Sequence, residues 1–429
     1  MMTDIPIQER RPSALTGLLI TVQLTSFVAA TYGFGIYLFS QLVTDMRADL
    51  GFDYKVVGTI TAAGQFGFLV FAMIGAWLAP RIGGGQVVIG SVALCGACLV
   101  LLPMTDSILV IGLLLTILGG TAASVWVPMV EIVSRAIAYR HRGKVLGLVS
   151  SGTSYGVFAN SLLVPIFVLN DNWRGVWYAV GFGTLMVTVI ALFTFWRLGL
   201  FHREPEGRSG RPAAVEGRRG MLAGAREVMV PWVLVIWAIT FMNGFSTLPF
   251  QNYLSPYLRE ELGFAVDFAA SVWGVIGFIG MFAGFVVGWL SDKTGVRLAL
   301  LFAYVCVFLS AMILVAAPVG HLPVVAGVLF AIAFYPIFGL VPAYVAKTAK
   351  GAAATAIFGV ANVTLGIGGM TGNYLAGMLK NLTDTFLWIY VAIAVSAVIL
   401  GLLSIILPRE GEDVAEREPA MPGVTDVVN

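Results

Sequence analysis

Glu131 is the sole acidic residue inside any long apolar run of this 429-residue chain. An ionisable group in hydrocarbon is costly and is usually tied to ion or proton movement. Arg135 follows four residues later, the spacing of a helical ion pair. Two roles therefore stand open for Glu131: a proton carrier, or one partner of an interfacial pair. The other polar groups at depth are amides and aromatic rims. Gln23, Gln65, Asn160, Asn243, Gln251, Asn252, Asn362 and Asn373 can hydrogen-bond a neighbouring helix or a polar solute. Tyr32, Trp126, Tyr155 and Tyr335 each add a ring with a polar edge. Tyr37 and Tyr253, near the ends of their runs, read as members of an interfacial aromatic belt.

Catalytic patterns are missing from the sequence. It has no H-E-x-x-H, no G-x-x-x-x-G-K-[ST], no paired acids at depth and three histidines in all. An enzyme is not expected, nor a metal or any other cofactor. Cys95-Gly-Ala-Cys98 has knuckle spacing, but no second pair or nearby His completes a zinc site, so these cysteines and Cys306 read as small apolar helix residues.

The elements that must position these groups follow from composition. Charged residues make up 11% and hydrophobic residues 59%. So few charges cannot cover a water-soluble surface, so the solvent is a bilayer, and a net charge of +2 gives no reason to expect a nucleic-acid partner. A crossing helix needs about 20 apolar residues. Twelve such runs can be marked, at residues 14–39, 56–79, 87–102, 108–133, 145–169, 176–196, 230–253, 268–290, 298–317, 322–346, 352–379 and 386–407. The first is too long for a signal-peptide core and is expected to be retained. This gives an all-α membrane protein in five parts: a segment 1–13, a six-helix bundle 14–196, a linker 197–229, a second bundle 230–407 and a tail 408–429 that reads as disordered.

Placing both termini in the cytoplasm puts 20 of the 25 Lys and Arg on that side and 5 outside, a strong positive-inside bias. Short outer loops suit a bacterial inner membrane, and a monomer is expected.

The two bundles carry the same punctuation. Ala76-Trp-Leu-Ala-Pro-Arg-Ile-Gly83 follows the second run and Gly288-Trp-Leu-Ser-Asp-Lys-Thr-Gly295 the eighth, so that Trp77 matches Trp289, Arg81 matches Lys293 and Gly83 matches Gly295. Duplicated halves suit a rocker with two mouths. Gly288 to Arg297 resembles the G-x-L-a-D-[RK]-x-G-[RK]-[RK] loop of the major facilitator superfamily. Arg142-Gly143 before Gly147 is similar to the start of that family's fifth helix, and Trp173-Arg174 to its W-R pair before the sixth. The first copy departs from the pattern, with Pro80 at the acidic position.

The resemblance implies a twelve-helix secondary transporter working by alternating access. It implies a central site lined by helices one, four, seven and ten, which points to Gln23, Tyr32, Trp126, Asn243, Gln251 and Tyr335, with Asn160 and Asn362 beside them. It also implies a cytoplasmic gate of Arg81, Gly288, Asp292, Lys293, Gly295 and Arg297, in which Asp292 pairs with a cation on a neighbouring helix. The expected partners are a small organic solute, the bilayer, and protons or a counter-solute. Tyr32-Gly-Phe-Gly-Ile-Tyr37 faintly resembles the first helix of monocarboxylate and oxalate/formate-type members, which use buried cations for carboxylates. No such cation stands here, so a neutral or amphiphilic solute fits equally well. The alternative is a sensor or assembly factor on the same scaffold.

Overall fold

In lipid every backbone N–H and C=O must be satisfied within its own segment, so long apolar runs become helices. A computed structural model of the chain describes residues 14–137, 139–198, 230–349 and 351–410. Among the described residues there is no strand, and twelve helices are long and apolar enough to cross a membrane. They are α1 (Thr16–Leu50), α2 (Tyr54–Ile82), α3 (Gly84–Met104), α4 (Ile108–Trp126), α5 (Lys144–Val168), α6 (Trp173–Arg197), α7 (Pro231–Glu261), α8 (Val266–Thr294), α9 (Val296–Val315), α10 (Leu322–Thr348), α11 (Ala353–Thr383) and α12 (Leu387–Ile406). Residues 1–13, 411–429 and all but two of the expected linker lie outside the described residues.

The first helix is not uniform. A π turn, Ala29–Phe34, interrupts it. Gly35 N donates to Ala30 O at 2.9 Å, and Asn160 of α5 donates its Nδ2 to Gly33 O at 2.8 Å. The side-chain amide thus serves a carbonyl at the break. Gly33 and Gly156 lie backbone to backbone there; a Cβ on either would collide with the other.

The duplication read from the loops extends through the fold. Gly83 and Gly295 both have positive φ, 102° and 89°, and each caps the end of one helix while opening the next. Gly51 and Gly263, in the loops after α1 and α7, also share a positive φ, 70° and 72°. At the other face Asp49 accepts from Trp173 Nε1 (3.1 Å) and Arg174 (2.7 Å). At the matching place Glu261 accepts from the hydroxyl of Thr385 (2.5 Å) and the backbone N of Phe386 (2.6 Å).

Small residues bring α1–α6 and α7–α12 together. A Cβ on Gly58 of α2 would meet Asn373 O of α11 at 2.8 Å, and one on Gly366 of α11 would meet the Leu69 side chain of α2 at 2.7 Å. On the opposite flank, a Cβ on Gly277 of α8 would meet the Phe158 backbone N of α5 at 2.7 Å. These contacts begin at the face that carries residues 51–53 and 262–265. They run to Leu69 and Gly280, about 21–22 Å along α2 and α8. Beyond that depth the residues of the same helices are exposed, among them Met73 and Trp77 on α2, Phe358 and Val363 on α11, and Phe282 and Phe285 on α8. The molecule is closed at one face and open at the face that carries Ala14 and Glu410.

Gly280-x-x-x-Gly284-x-x-x-Gly288 has the small-residue spacing that lets helices approach closely, but it packs at one position. Gly280 lies against Tyr335 and Ser154, whereas Gly284 and Gly288 have nothing within 4 Å. Their turns fall below the level where the halves part.

Candidate functional site

The closed face is sealed by charges that cross between the halves. Arg259 of α7 makes two bonds to Asp45 of α1, at 2.6 and 2.7 Å, the bidentate arrangement that fixes both position and angle. Arg47 of α1 donates to Glu260 of α7 at 2.9 Å, and Tyr54 Oη of α2 donates to the other oxygen of Glu260 at 2.5 Å. The Arg47 guanidinium also lies 4.4 Å from the centre of the Tyr54 ring. At the start of α2, Asp53 accepts from Asn381 Nδ2 at 2.7 Å and from its own helix at Val56 N, 2.9 Å.

Beneath the ion pairs lies a neutral layer. Ser40 of α1 donates to Asn252 Oδ1 of α7 at 2.6 Å, and Asn252 Nδ2 donates to Asn373 Oδ1 of α11 at 2.8 Å. Tyr253 Oη donates to the Asn373 carbonyl at 3.1 Å. Tyr37 and Tyr253 are buried here, Tyr37 edge-on to Phe334 of α10 with ring centres 6.5 Å apart. Their expected place in a lipid-facing belt is therefore corrected. Both α1 and α7 continue past the apolar runs, and their last turns meet the opposite half.

Under this layer a small, partly open cavity of about 40 Å³ lies between α1, α2, α4 and α7, with Thr61, Gln65 and Asn252 as its polar lining. Counted back from the helix ends, it sits roughly 10–16 Å below the closed face.

The expected site residues do not converge on one pocket. Gln23 donates to Thr194 of α6 at 2.8 Å, inside its own half, and its carbonyl oxygen is buried without a partner among the described residues. Asn160 serves the break in α1. Asn362 is exposed and donates to Phe358 O one turn back on its own helix at 2.9 Å. Trp126 packs on the α1–α4–α6 core around Phe27 and Phe195. Tyr32 meets Phe68 edge-on at 6.3 Å. Asn243 and Gln251 are buried on α7, and Asn243 Oδ1 has no partner among the described residues. Tyr335 fills the space beside Gly280, facing Ser154 of the other half. The side chains of Glu131 and Arg135 lie outside the described residues, so the two roles read for Glu131 are not separated.

The expected gate is also redistributed. Asp292 pairs with Lys347 of α10 at 3.7 Å, a cation on a neighbouring helix, but within one half and well exposed. It bridges no gap between halves in this state. Lys293 and Arg81 sit over Trp289 and Trp77 at 3.8 and 4.0 Å, a matched pair of cation–π contacts at the open face. Glu410 accepts from the backbone N–H groups of Val296 and Arg297, next to Gly295.

The sequence reading missed Asp45, Arg47, Tyr54, Arg259 and Glu260 as a seal, having counted the arginines as loop charges. A signal was present: Arg47 and Arg259 stand at the same offset as the matched loops, each with an acid within two residues.

A family model of the Major Facilitator Superfamily matches residues 25–373. Among curated proteins, the chain is similar to the "Probable sulfoacetate transporter SauU" of Cupriavidus necator, with 23% identity over 269 residues, 58% of this chain and 59% of that protein. It is also similar to the 3-(3-hydroxy-phenyl)propionate transporter of Escherichia coli, with 27% identity over 296 residues, 66% of this chain and 68% of that one. For two further relatives it spans 38% and 39% of their length. Among solved structures, a mutant of the nucleoside transporter NupG matches with a TM-score of 0.74 at 12% identity, covering 90% of this chain and 99% of that chain. A bacterial homolog of the human lysosomal transporter Spinster, inward-facing and occupied, matches with a TM-score of 0.72 at 16% identity, covering 92% and 97%.

Proposed function

The chain belongs to the Major Facilitator Superfamily, and from that premise we propose that it is a secondary transporter of a small organic solute, working by alternating access. The observation that carries the reading is the pair of crossed bridges, Asp45 to Arg259 and Arg47 to Glu260. They hold one face shut, while at the other α2, α8 and α11 carry exposed residues such as Met73, Phe285 and Phe358. Such contacts stabilise one of two global states, and a solute that prefers the other shifts the balance.

With the termini placed in the cytoplasm, the closed face is the outer one and the state is inward-facing. The units that rock are 14–196 and 230–407, joined by 197–229. The membrane is a bacterial inner membrane. The solute class is an organic acid or a neutral amphiphile. The names of the relatives support the former, and the absence of Lys, Arg and His from the middle of every span supports the latter. Glu131 stands as the candidate for proton coupling, and Asn243, Gln251 and Tyr335 as candidates for solute contact.

The test is a reversible lock. Ser40→Cys and Asn252→Cys, oxidised to a disulfide, should hold the outer face shut and abolish solute uptake into proteoliposomes, and reduction should restore it. Uptake that continues after complete cross-linking would exclude alternating access through this face.

A further inference from the structure

We propose that the cavity below the outer seal is the subsite for the polar end of the solute, and that this end is an uncharged group which both donates and accepts, a primary amide or an alcohol. The proposal rests on the transporter reading and deepens it.

The cavity is lined by Gly35, Thr61, Gly64, Gln65, Gly119 and Asn252, together with apolar side chains and no charged residue. Its polar groups differ in what they have left to offer. Asn252 is committed on both sides, accepting from Ser40 and donating to Asn373. Thr61 spends its hydrogen on the carbonyls of its own helix, Val57 O at 2.9 Å and Gly58 O at 3.2 Å, which leaves its oxygen to accept. Gln65 has no hydrogen-bond partner among the described residues, so its amide presents two donors and an acceptor to the space. A group that meets Thr61 must donate to it, and one that also satisfies the N–H groups of Gln65 must accept as well.

Size fits the same class. About 40 Å³ is room for a few waters or one small functional group, and not for a whole organic solute. The glycines set that size. Gly119 packs on the Gly64 backbone, whereas a Cβ on Gly64 would meet nothing closer than Leu115 O at 3.8 Å. Position 64 therefore has room for a side chain.

Charge argues against a carboxylate or sulfonate here. An anion buried at this depth needs a cation, and the nearest arginines of α1 and α7 are engaged in the seal by Asp45 and Glu260. Gln65 also rests on α11 of the other half, its Cγ 3.4 Å from where a Cβ on Gly369 would stand. A solute held by Gln65 thus touches the surface that must slide when the halves rock.

The test uses benzamide, benzyl alcohol and benzoate as probes of matched skeleton. Thermal stabilisation of the detergent-purified full chain at neutral pH is the readout. Benzamide or benzyl alcohol should stabilise the wild type at about tenfold lower concentration than benzoate, the loss expected for one unmade hydrogen bond. Gln65→Leu should erase that preference while keeping the unliganded melting temperature. Gly64→Ala, whose Cβ meets nothing closer than Leu115 O at 3.8 Å, should weaken all three probes. Benzoate binding as well as or better than the neutral probes, a preference that survives Gln65→Leu, or no stabilisation by any probe would each overturn the proposal. The disulfide lock reads the transporter function separately. A chain that transports, stops on locking and ignores Gln65→Leu would retain the function and lose this subsite.

Discussion

Asp53 caps the start of α2 and reaches across to Asn381, and its hydrogen bond from Val56 N, helped by those from Asn381 and Lys55 N, holds its carboxyl below the usual range against a small desolvation cost. A depressed folded-state value contributes stability above the unfolded value of about 4, and that contribution is lost as pH falls through the folded one. Thermal unfolding in detergent should therefore show Asp53→Asn, which keeps the cap but loses the charge, less stable than wild type by about 0.5 kcal/mol at neutral pH, the size of a surface carboxylate's interaction with a helix N-terminus. The gap should close as pH drops below about 4. A gap that stays constant down to low pH would mean the carboxylate charge contributes nothing. Single residues were also where the sequence was hardest to read. Gln23 and Asn160 look like solute ligands because an amide in hydrocarbon demands a partner, but a neighbouring helix satisfies that demand as well as a solute does. Nothing in one sequence says which partner is nearer. Gln65, named from its depth alone, is one of the amides that the packing leaves unengaged.

Elements were more legible, because the signal behind them is long. Twelve apolar runs give twelve helices, since a backbone in lipid has few other ways to satisfy itself. Where the boundaries slipped, function explains the slip. The reading ended the first and seventh runs near Phe39 and Tyr253, yet the helices continue to Leu50 and Glu261, because their polar last turns face the other half instead of water. The glycines of α11 divide by face in a way no pattern count reveals. Gly366 meets α2 and Gly368 and Gly372 meet the α7 backbone, whereas Gly369 lies between Leu248 of α7 and Gln65 of α2. On the α2 side, Gly377 packs against Gly58, where a Cβ would stand 2.9 Å from its Cα, and a larger group must push the helices apart. Gly377→Val should therefore open the closed face and speed alkylation of a cysteine placed at Asn252. Gly284→Val, with nothing nearby, should change neither that rate nor stability by more than about 0.5 kcal/mol. Equal rates in the two variants would show that the α2–α11 contact does not hold the face closed. The three native cysteines are buried and should stay slow to react.

At the scale of the whole molecule, two halves hinged about a fixed middle must move their ends in opposite senses. Spin labels at Met73 and Phe358, both exposed at the open face, should approach each other when a transported solute is added; labels at Lys55 and Leu382, at the closed face, should separate. Pulsed dipolar distances that change at one face alone would argue for a local lid instead of rocking. The family and the duplicated plan were legible from the loops, since turn glycines and rim tryptophans recur at a fixed offset. The state was not legible, because both states are built from the same residues. One contact carries a meaning beyond gating. Ser40 and Asn252 stand 212 residues apart, the offset of the repeat itself, and they touch each other. Like meeting like across a dyad is how a homodimer recognises its twin. Ser40 and Asn252 therefore occupy equivalent places in the two halves, and their contact marks where the repeat meets itself.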